Sequence, residues 1–138
     1  MIFAVGTDIM DVARMERGLA RKNQGLKSRV FTLREIRYCE QKRYPARHFA
    51  ARFAAKEAFL KAMSTGLSGD LRWQEIEVQR NSHGQPRIIL SGKTRMFADR
   101  LGVRQIRVSL SHTATVASAT VILEQSSASP VSTRRKKE

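Results

Sequence analysis

One alanine-rich helical segment constrains the fold of this 138-residue chain more than any other stretch of its sequence. Across residues 47 to about 64, large apolar residues recur at helical spacing and alanines fill many of the positions between them. Because alanine lets neighbouring elements approach closely, we expect this helix to be half buried. The stretch "RFAAKEAFLKA" nevertheless contains four charged residues, Arg52, Lys56, Glu57 and Lys61. These charges need partners, either on the protein or on a ligand.

The segments on either side of this helix predict an α+β domain with an antiparallel sheet. A β-branched apolar run predicts a first strand, and Asp8 or Asp11 could end it and cap a helix. Thr32 and Glu35 have capping-box spacing, so another helix is expected to start at Thr32 and to end near Pro45. The later pattern predicts strands at 71–80, 87–90, 106–113 and 116–124 and a helix at 92–102. The predicted order is β-α-α-α-β-β-α-β-β.

The chain is strongly basic, with a net charge of +14 and a pI near 11.2. Such a balance implies an anionic partner. Residues 13–47 hold 11 basic and three acidic residues, a net +8, so we expect that partner to dock there. Residues 125–138 lack apolar periodicity and add a net +3, and they are predicted to be a disordered tail behind a single domain at 1–124.

Cysteine content and hydropathy limit the class of protein further. A single cysteine, Cys39, excludes an internal disulfide and fits a reducing cytoplasm. The N-terminus has no basic leader, and Asp8 interrupts its apolar run, so we do not expect a signal peptide. The longest uncharged run, residues 108–123, is shorter than the roughly 20 residues that a spanning helix needs. We therefore expect a cytoplasmic protein that does not cross a membrane.

Two carboxylates are the strongest candidates for chemistry, since no serine elbow, zinc-ligand spacing or Walker phosphate loop occurs. Asp8 in the first strand and Glu57 on the alanine-rich helix would suit Mg²⁺, which takes one or two protein carboxylates and completes its shell with phosphate and water. Nearby lysine and arginine would hold the remaining phosphate oxygens. Purely structural roles would also explain these residues. The helix charges could be surface ion pairs, Asp8 a cap, and His112 a structural histidine.

Three motifs in order along the chain carry a family resemblance. The stretches "VGTDIMDVARMER", "RFAAKEAFLKAMSTG" and "VSLSHTATVASATVILE" resemble holo-acyl-carrier-protein synthases, the small single-half type of 4'-phosphopantetheinyl transferase. The likeness covers residues 1 to about 124. It implies the fold of that family and transfer of phosphopantetheine from coenzyme A to a serine of apo acyl carrier protein, in fatty acid biosynthesis, with release of adenosine 3',5'-bisphosphate.

The resemblance also implies roles for individual residues. Asp8 and Glu57 match the family's Mg²⁺ ligands, and Lys61 matches a residue near the reacting pyrophosphate. Glu57, or a metal-bound water that it orients, is the candidate general base. The positions that match the coenzyme A site are Arg52, Lys56, Ser64, Thr65, Gly66, Pro86, His112 and Thr113. The acidic carrier protein would dock on the first basic helix, at Arg14, Arg17, Arg21 and Lys22.

Assembly and partner range complete these expectations. The family forms trimers with active sites between subunits, whereas the strand around "VASATVIL" could equally be the central strand of one subunit's own sheet. Position 64 is Ser where the family more often has Gly. Two alternatives remain beside the leading function. One is a nucleic-acid-binding protein without catalysis, suggested by the pI. The other is the same transferase acting on carrier domains of polyketide or peptide synthases.

Overall fold

The computed structural model describes residues 1–22, 25–64 and 71–126. Its elements form an α+β arrangement with antiparallel sheets, as the sequence predicts. In chain order they are β1 (Ile2–Asp11), α1 (Val12–Ala20), α2 (Leu26–Val30), α3 (Leu33–Glu40), α4 (Pro45–Ala62), a 3-10 turn (Trp73–Glu75), β2 (Ile76–Arg80), β3 (Pro86–Leu90), α5 (Gly92–Arg100), β4 (Val103–His112) and β5 (Val116–Gln125). The five-residue helix α2 was not predicted, because one turn and a half is too short to show periodicity.

Local capping signals set where the first helices begin. Asp11, rather than Asp8, caps α1, and its Oδ1 accepts a hydrogen bond from the Ala13 backbone N–H at 3.2 Å. The capping box predicted at Thr32 is confirmed, with Thr32 and Glu35 each accepting from the other's backbone N–H. Pro45 opens α4 at its first turn, where a missing N–H costs nothing. The long helix therefore begins two residues earlier than predicted.

The larger sheet has the strand order β1-β5-β4, and β2 pairs with β3 in a separate hairpin. Strand β5 lies between its two neighbours, which confirms the reading of "VASATVIL" as a central strand of the subunit's own sheet. Alternate β5 residues are buried towards α4, namely Ala117, Ala119, Val121 and Leu123. The predicted strand at 71–80 is shorter than expected, because its first part forms the 3-10 turn.

Helix α4 is buried around most of its circumference, so it is more deeply enclosed than the half-buried helix that we expected. Its alanines let β1 and β5 pack closely against it. The closest approach is at Gly6, where an added Cβ would overlap the Ala58 carbonyl oxygen and come within 2.8 Å of the Ala62 nitrogen. The predicted disordered tail lies outside the described residues, except for Gln125 and Ser126.

Candidate active site

The strand β1 and the helix α4 bring two carboxylates to one cavity of about 530 Å³. Asp8 and Glu57 both line it, although 48 residues separate them along the chain. The close packing at Gly6 makes this meeting possible, because it brings β1 against the turn of α4 that follows Glu57. Phe53 forms an apolar part of the wall and stacks on Trp73 with ring centroids 5.4 Å apart.

Lys61 connects the two carboxylates electrostatically. Its Nζ donates to Asp8 Oδ1 at 2.8 Å and to the Thr7 carbonyl at 3.1 Å. The hydrogen bond with Asp8 raises the pKa of Lys61, so the ammonium form is favoured. Burial, and then the neighbouring Asp8 carboxylate, raise the pKa of Glu57, while Lys61 opposes that shift. The cavity therefore contains two interacting carboxyl groups. Lys61, which is more than half exposed, is bonded to one of them.

Arginines from the first basic helix form the opposite wall. Arg14, Arg17 and Arg21 line the same cavity, and all three are exposed to solvent. Lys22 is exposed just beyond α1 but does not line the cavity. An anion entering from this side would therefore meet positive charge before it reached the carboxylates.

The donor set of this cavity fits a hard divalent cation such as Mg²⁺. Two carboxylates that raise each other's affinity for positive charge are what such an ion needs from protein, since phosphate oxygens and water supply its other ligands. Among residues 1–22, 25–64 and 71–126, no group of three or more His, Cys, Asp or Glu side chains could hold a metal. The fit is therefore to an ion that is shared with a phosphorylated ligand.

Lys56 does not fit the phosphate-binding role that the resemblance implied, because it is fully buried in the core. Its Nζ donates to Glu35 Oε1 at 2.7 Å and to the carbonyl oxygens of Val30 at 2.6 Å and Trp73 at 3.0 Å. All three ammonium donors are thus used on protein acceptors. We correct the expectation accordingly. Lys56 connects α4 to α2, α3 and the 3-10 turn and has no donor left for a phosphate.

Arg52 is also buried, at 1% exposure, but its side chain is not fully satisfied. Its guanidinium lies 4.0 Å from the centre of the Tyr38 ring, and its Nη1 reaches the His48 carbonyl only at 3.5 Å. Its Nε has no hydrogen-bond partner among the described residues. A buried arginine with an unused donor is well suited to hold an anion that approaches closely.

The remaining predicted coenzyme A residues lie at the edges of elements. His112 ends β4, is exposed, and contacts the His48 ring at a centroid distance of 5.1 Å. The Thr113 hydroxyl accepts from the backbone N–H groups of Thr115 and Val116, so it shapes the β4–β5 hairpin. Pro86 begins β3 and pairs with Arg80. None of these residues lines the cavity that holds Asp8 and Glu57.

The backbone conformation after α4 explains why glycine would be favoured at position 64. Ser64 has a φ of 59°, in the left-handed region that glycine adopts without a Cβ penalty. A family preference for glycine at this position therefore has a conformational reason. Thr65 and Gly66 lie outside the described residues.

The helix geometry separates the four charges of α4 into two groups. Residues four apart differ by about 40° around a helix and residues five apart by about 140°. Arg52 and Lys56 therefore share an inward side. Glu57 and Lys61 share another side, on which Glu57 lines the cavity and Lys61 is bonded to Asp8. Spacing alone identified the two pairs but could not tell which side faces inward. Glu35, Tyr38 and His48 complete the inward group, and their only sequence signal was the capping box at Glu35.

Comparison with known proteins gives a consistent result. A sequence profile described as "4'-phosphopantetheinyl transferase superfamily" matches residues 4–120. A Geotalea daltonii protein named holo-[acyl-carrier-protein] synthase is 45% identical over 125 residues, which cover 91% of this chain and 100% of the relative. A protein of the same name from Geobacter metallireducens is 47% identical over 126 residues, 91% of this chain and 99% of the relative.

Solved structures resemble the fold over nearly the same span. The crystal structure of holo-[acyl-carrier-protein] synthase from Neisseria meningitidis has a TM-score of 0.83 at 30% identity and covers 91% of this chain and 100% of that one. The Helicobacter pylori holo-[acyl-carrier-protein] synthase in complex with coenzyme A has a TM-score of 0.77 at 29% identity, over 87% and 99% of the two chains. No helix in the described ranges of this chain is both long and apolar enough to span a bilayer.

Proposed function

This chain belongs to the 4'-phosphopantetheinyl transferase superfamily, and we propose that it is a holo-acyl-carrier-protein synthase. It transfers the 4'-phosphopantetheine group of coenzyme A to a serine of apo acyl carrier protein and releases adenosine 3',5'-bisphosphate. The observation that carries this proposal is the cavity that Asp8 and Glu57 line together with Arg14, Arg17 and Arg21. Lys61 is bonded to Asp8 beside it. The cavity combines a site for a phosphate-bound cation with a surface for an acidic protein.

The reaction forms a bond between the serine oxygen and the β-phosphorus of coenzyme A and breaks the bond from that phosphorus to the bridging oxygen. The leaving bisphosphate keeps the bond electrons, and its developing charge needs stabilisation. Lys61 supplies a fixed ammonium beside the carboxylates, within reach of a pyrophosphate in the cavity. Glu57 accepts the serine proton, directly or through a water, and its raised pKa makes it a better base than an ordinary glutamate.

Asp8 and Glu57 would hold Mg²⁺ in this cavity. The bound ion would supply charge neutralisation on the pyrophosphate. Lys61 keeps the Asp8 carboxylate oriented through the 2.8 Å contact. Arg52 would hold a phosphate group of coenzyme A through its unpartnered Nε, and His112, whose ring contacts His48, would serve the same site. Lys56 has no part in this site.

The acidic carrier protein would dock on the arginines that line the cavity. Charge reversal by Arg14→Glu or Arg21→Glu is expected to raise the KM for carrier protein about tenfold and to change the KM for coenzyme A far less. Arg100→Glu on α5 is the matched control, since it makes the same charge change away from the cavity. A larger effect on coenzyme A than on carrier protein would show that the docking face is wrongly assigned.

The outer face of the larger sheet supports assembly into a trimer. Val5, Ile9 and Val116 are exposed at 58%, 71% and 39% on the side of the sheet opposite α4. Such an apolar face is suited to burial against another copy of the chain. A neighbouring copy would also bring its own Arg52 and His112 towards the Asp8 cavity, which these residues do not reach within one subunit.

Sedimentation tests the assembly. The wild type is expected to sediment as a trimer, and Val5→Lys is expected to produce a folded monomer with little transfer activity. Met96→Lys, at an exposed methionine of α5, is the control and should remain trimeric. A wild type that is monomeric at assay concentration would exclude a site shared between subunits.

We propose that the enzyme is cytoplasmic, because its single cysteine is a free thiol. Cys39 is a free thiol with no exposed surface, and burial raises its pKa to about 12. Such a thiol is unreactive and needs no oxidising compartment. Tagging the native protein and fractionating the cells would test this placement.

Mass spectrometry of the carrier protein is the direct test of function. Incubation with coenzyme A and Mg²⁺ should add the mass of phosphopantetheine to apo acyl carrier protein, and Asp8→Ala or Glu57→Ala should abolish the addition while the fold is retained. Carrier domains from polyketide and peptide synthases, tested in parallel, give the partner range. Tight nucleic-acid binding without any transfer would favour a binding protein instead.

A further inference from the structure

Tyr38, His48 and His112 form a series of ring contacts, and Tyr38 also contacts Arg52. His48 sits one helical turn before Arg52 on α4, between Tyr38 of α3 and His112 of β4. The ring centroids of His48 and His112 are 5.1 Å apart at an interplanar angle of 66°, and those of His48 and Tyr38 are 6.0 Å apart at 73°. Both contacts have the edge-to-face geometry that aromatic rings prefer.

We propose that His48 is a positioning residue of the phosphate site, which acts as an uncharged aromatic platform that holds the His112 imidazole and takes no part in proton transfer. The inference rests on the proposed function, in which Arg52 and His112 bind a phosphate of coenzyme A. It adds His48, which contacts both of them and which no sequence motif singles out.

The contacts of His48 explain how it would act on its neighbours. His112 ends its strand and is exposed, so a ring packed against it limits the orientations that its imidazole can adopt. The backbone carbonyl of His48 accepts from Arg52 Nη1 at 3.5 Å, and this contact does not depend on the side chain. Changing the ring should therefore affect His112 and leave the Arg52 contact in place.

The surroundings of His48 favour a neutral ring. Lys42 after α3, Arg52 on α4, Arg80 on β2 and His112 on β4 all face it. Burial, followed by the charges of His112, Arg52, Lys42 and Arg80, lowers the pKa of His48 to about 4. Within the described ranges its ring contacts are with Tyr38 and His112, and its ring nitrogens make no hydrogen bond. A ring that is neutral and makes only aromatic contacts can be replaced by phenylalanine.

Steady-state kinetics of three His48 variants test the proposal. His48→Phe is expected to keep the wild-type KM for coenzyme A within about twofold and to leave the pH profile of kcat unchanged. His48→Ala and His48→Leu, which remove the ring, are expected to raise that KM about three- to tenfold with little change in kcat, as loss of one edge-to-face contact predicts. Phe97→Ala removes a half-buried ring on α5 and controls for general loss of packing.

The assays distinguish a failure of the His48 positioning role from a failure of the proposed transferase function. A wild type without transfer activity would contradict the proposed function. An active wild type whose Ala and Leu variants keep a normal KM for coenzyme A would overturn the positioning role. Equal damage in the Phe and Ala variants would also overturn it, because the imidazole itself would then be required. In NMR spectra, His48 ring signals that titrate near pH 6.5 would exclude the uncharged platform, whereas constant signals between pH 5.5 and 8 would support it.

Discussion

At the scale of single residues, Gly6 has a steric constraint that is set by helix backbone. It faces α4 where the strand and helix backbones touch, and the two carboxylates of the cavity meet two residues further along β1. Space is the constraint here, since the φ of Gly6 is not positive. The motif Gly-x-Asp therefore joins a packing requirement to a functional one.

Gly6→Ala is expected to destabilise the protein by about 1–3 kcal/mol, the usual cost of adding a methyl group to a packed contact that cannot yield. The Cβ would overlap the Ala58 carbonyl oxygen, which belongs to helix backbone. Chemical denaturation measures the effect. Gly18→Ala is the control, because its added Cβ meets only the end of the Leu26 side chain and alanine favours a helix interior. Equal stability of the two variants would contradict this view of β1 packing.

We expect the ionised Glu57 carboxylate to lower the free energy of unfolding. Its folded-state pKa is raised, chiefly by burial and then by Asp8, so the folded protein binds the Glu57 proton more tightly than the unfolded chain does. Ionisation therefore costs stability, fully at pH values above the folded pKa and not at all below the unfolded value of about 4.3. Glu57→Gln is expected to raise the Tm by a few degrees at pH 7 while it abolishes transfer.

Thermal unfolding in the presence of a chelator measures this effect without bound metal. The Tm advantage of Glu57→Gln should shrink as the pH falls towards 4. Glu16→Gln, on the exposed side of α1, is the matched control and should change the Tm little. A Glu57→Gln variant that is less stable than the wild type at pH 7 would show that the carboxylate is stabilising.

At the scale of elements, the buried Lys56–Glu35 pair connects α4 to the basic part of the chain. Glu35 Oε2 also accepts from the Val78 backbone N–H at 2.8 Å, so the pair joins β2 as well. Burial lowers the pKa of Lys56, and the Glu35 carboxylate opposes that shift. Such a pair contributes mainly through the cost of leaving either partner alone.

Lys56→Ala is expected to cost about 3–5 kcal/mol, because it leaves the Glu35 carboxylate buried without a cation. Lys27→Ala breaks the Lys27–Glu40 pair of the same 2.7 Å length, but both of those side chains are more than 40% exposed, so the cost should stay below about 1 kcal/mol. Urea unfolding compares the two variants. A Lys56→Ala variant that unfolds normally but loses affinity for coenzyme A would restore the phosphate-binding role that we have withdrawn.

At the scale of the whole molecule, the positive charge is concentrated in one segment, where it can attract an acidic partner. The net charge is +14, and the segment that contains α1, α2 and α3 contributes +8 of it. Long-range attraction of this kind speeds encounter with an acidic partner and is screened by salt. The charge therefore acts on the rate of association more than on the fold.

Raising the salt concentration from 50 to 300 mM is expected to raise the KM for carrier protein about tenfold or more. The triple variant Arg14→Glu, Arg17→Glu and Arg21→Glu should show a much flatter dependence, because the charges that face the partner are gone. Turnover assays across a salt series at fixed Mg²⁺ measure both slopes. Equal slopes for the two proteins would place the docking surface elsewhere on the molecule.

The sequence by itself determined the order of the longer elements, the capping box at Thr32 and the helical spacing of the charges on α4. These follow from local signals, since capping, periodicity and turn chemistry each act over a few residues. It also indicated Asp8 and Glu57 as a carboxylate pair, which the cavity brings together. The short helix α2 and the 3-10 turn were missed because they carry too few residues for a pattern.

Only the tertiary structure decided which side of α4 faces the core. Helical spacing fixes the angle between two side chains but not the rotation of the helix about its own axis. Packing against β1 and β5 sets that rotation. The same rotation buries Lys56 against Glu35, and it turns Glu57 to the cavity and Lys61 to Asp8. Lys56 and Lys61 could not be told apart by helical spacing, but only Lys56 is buried. A buried charge needs protein partners, so Lys56 has a structural role, whereas Lys61 remains available to a ligand.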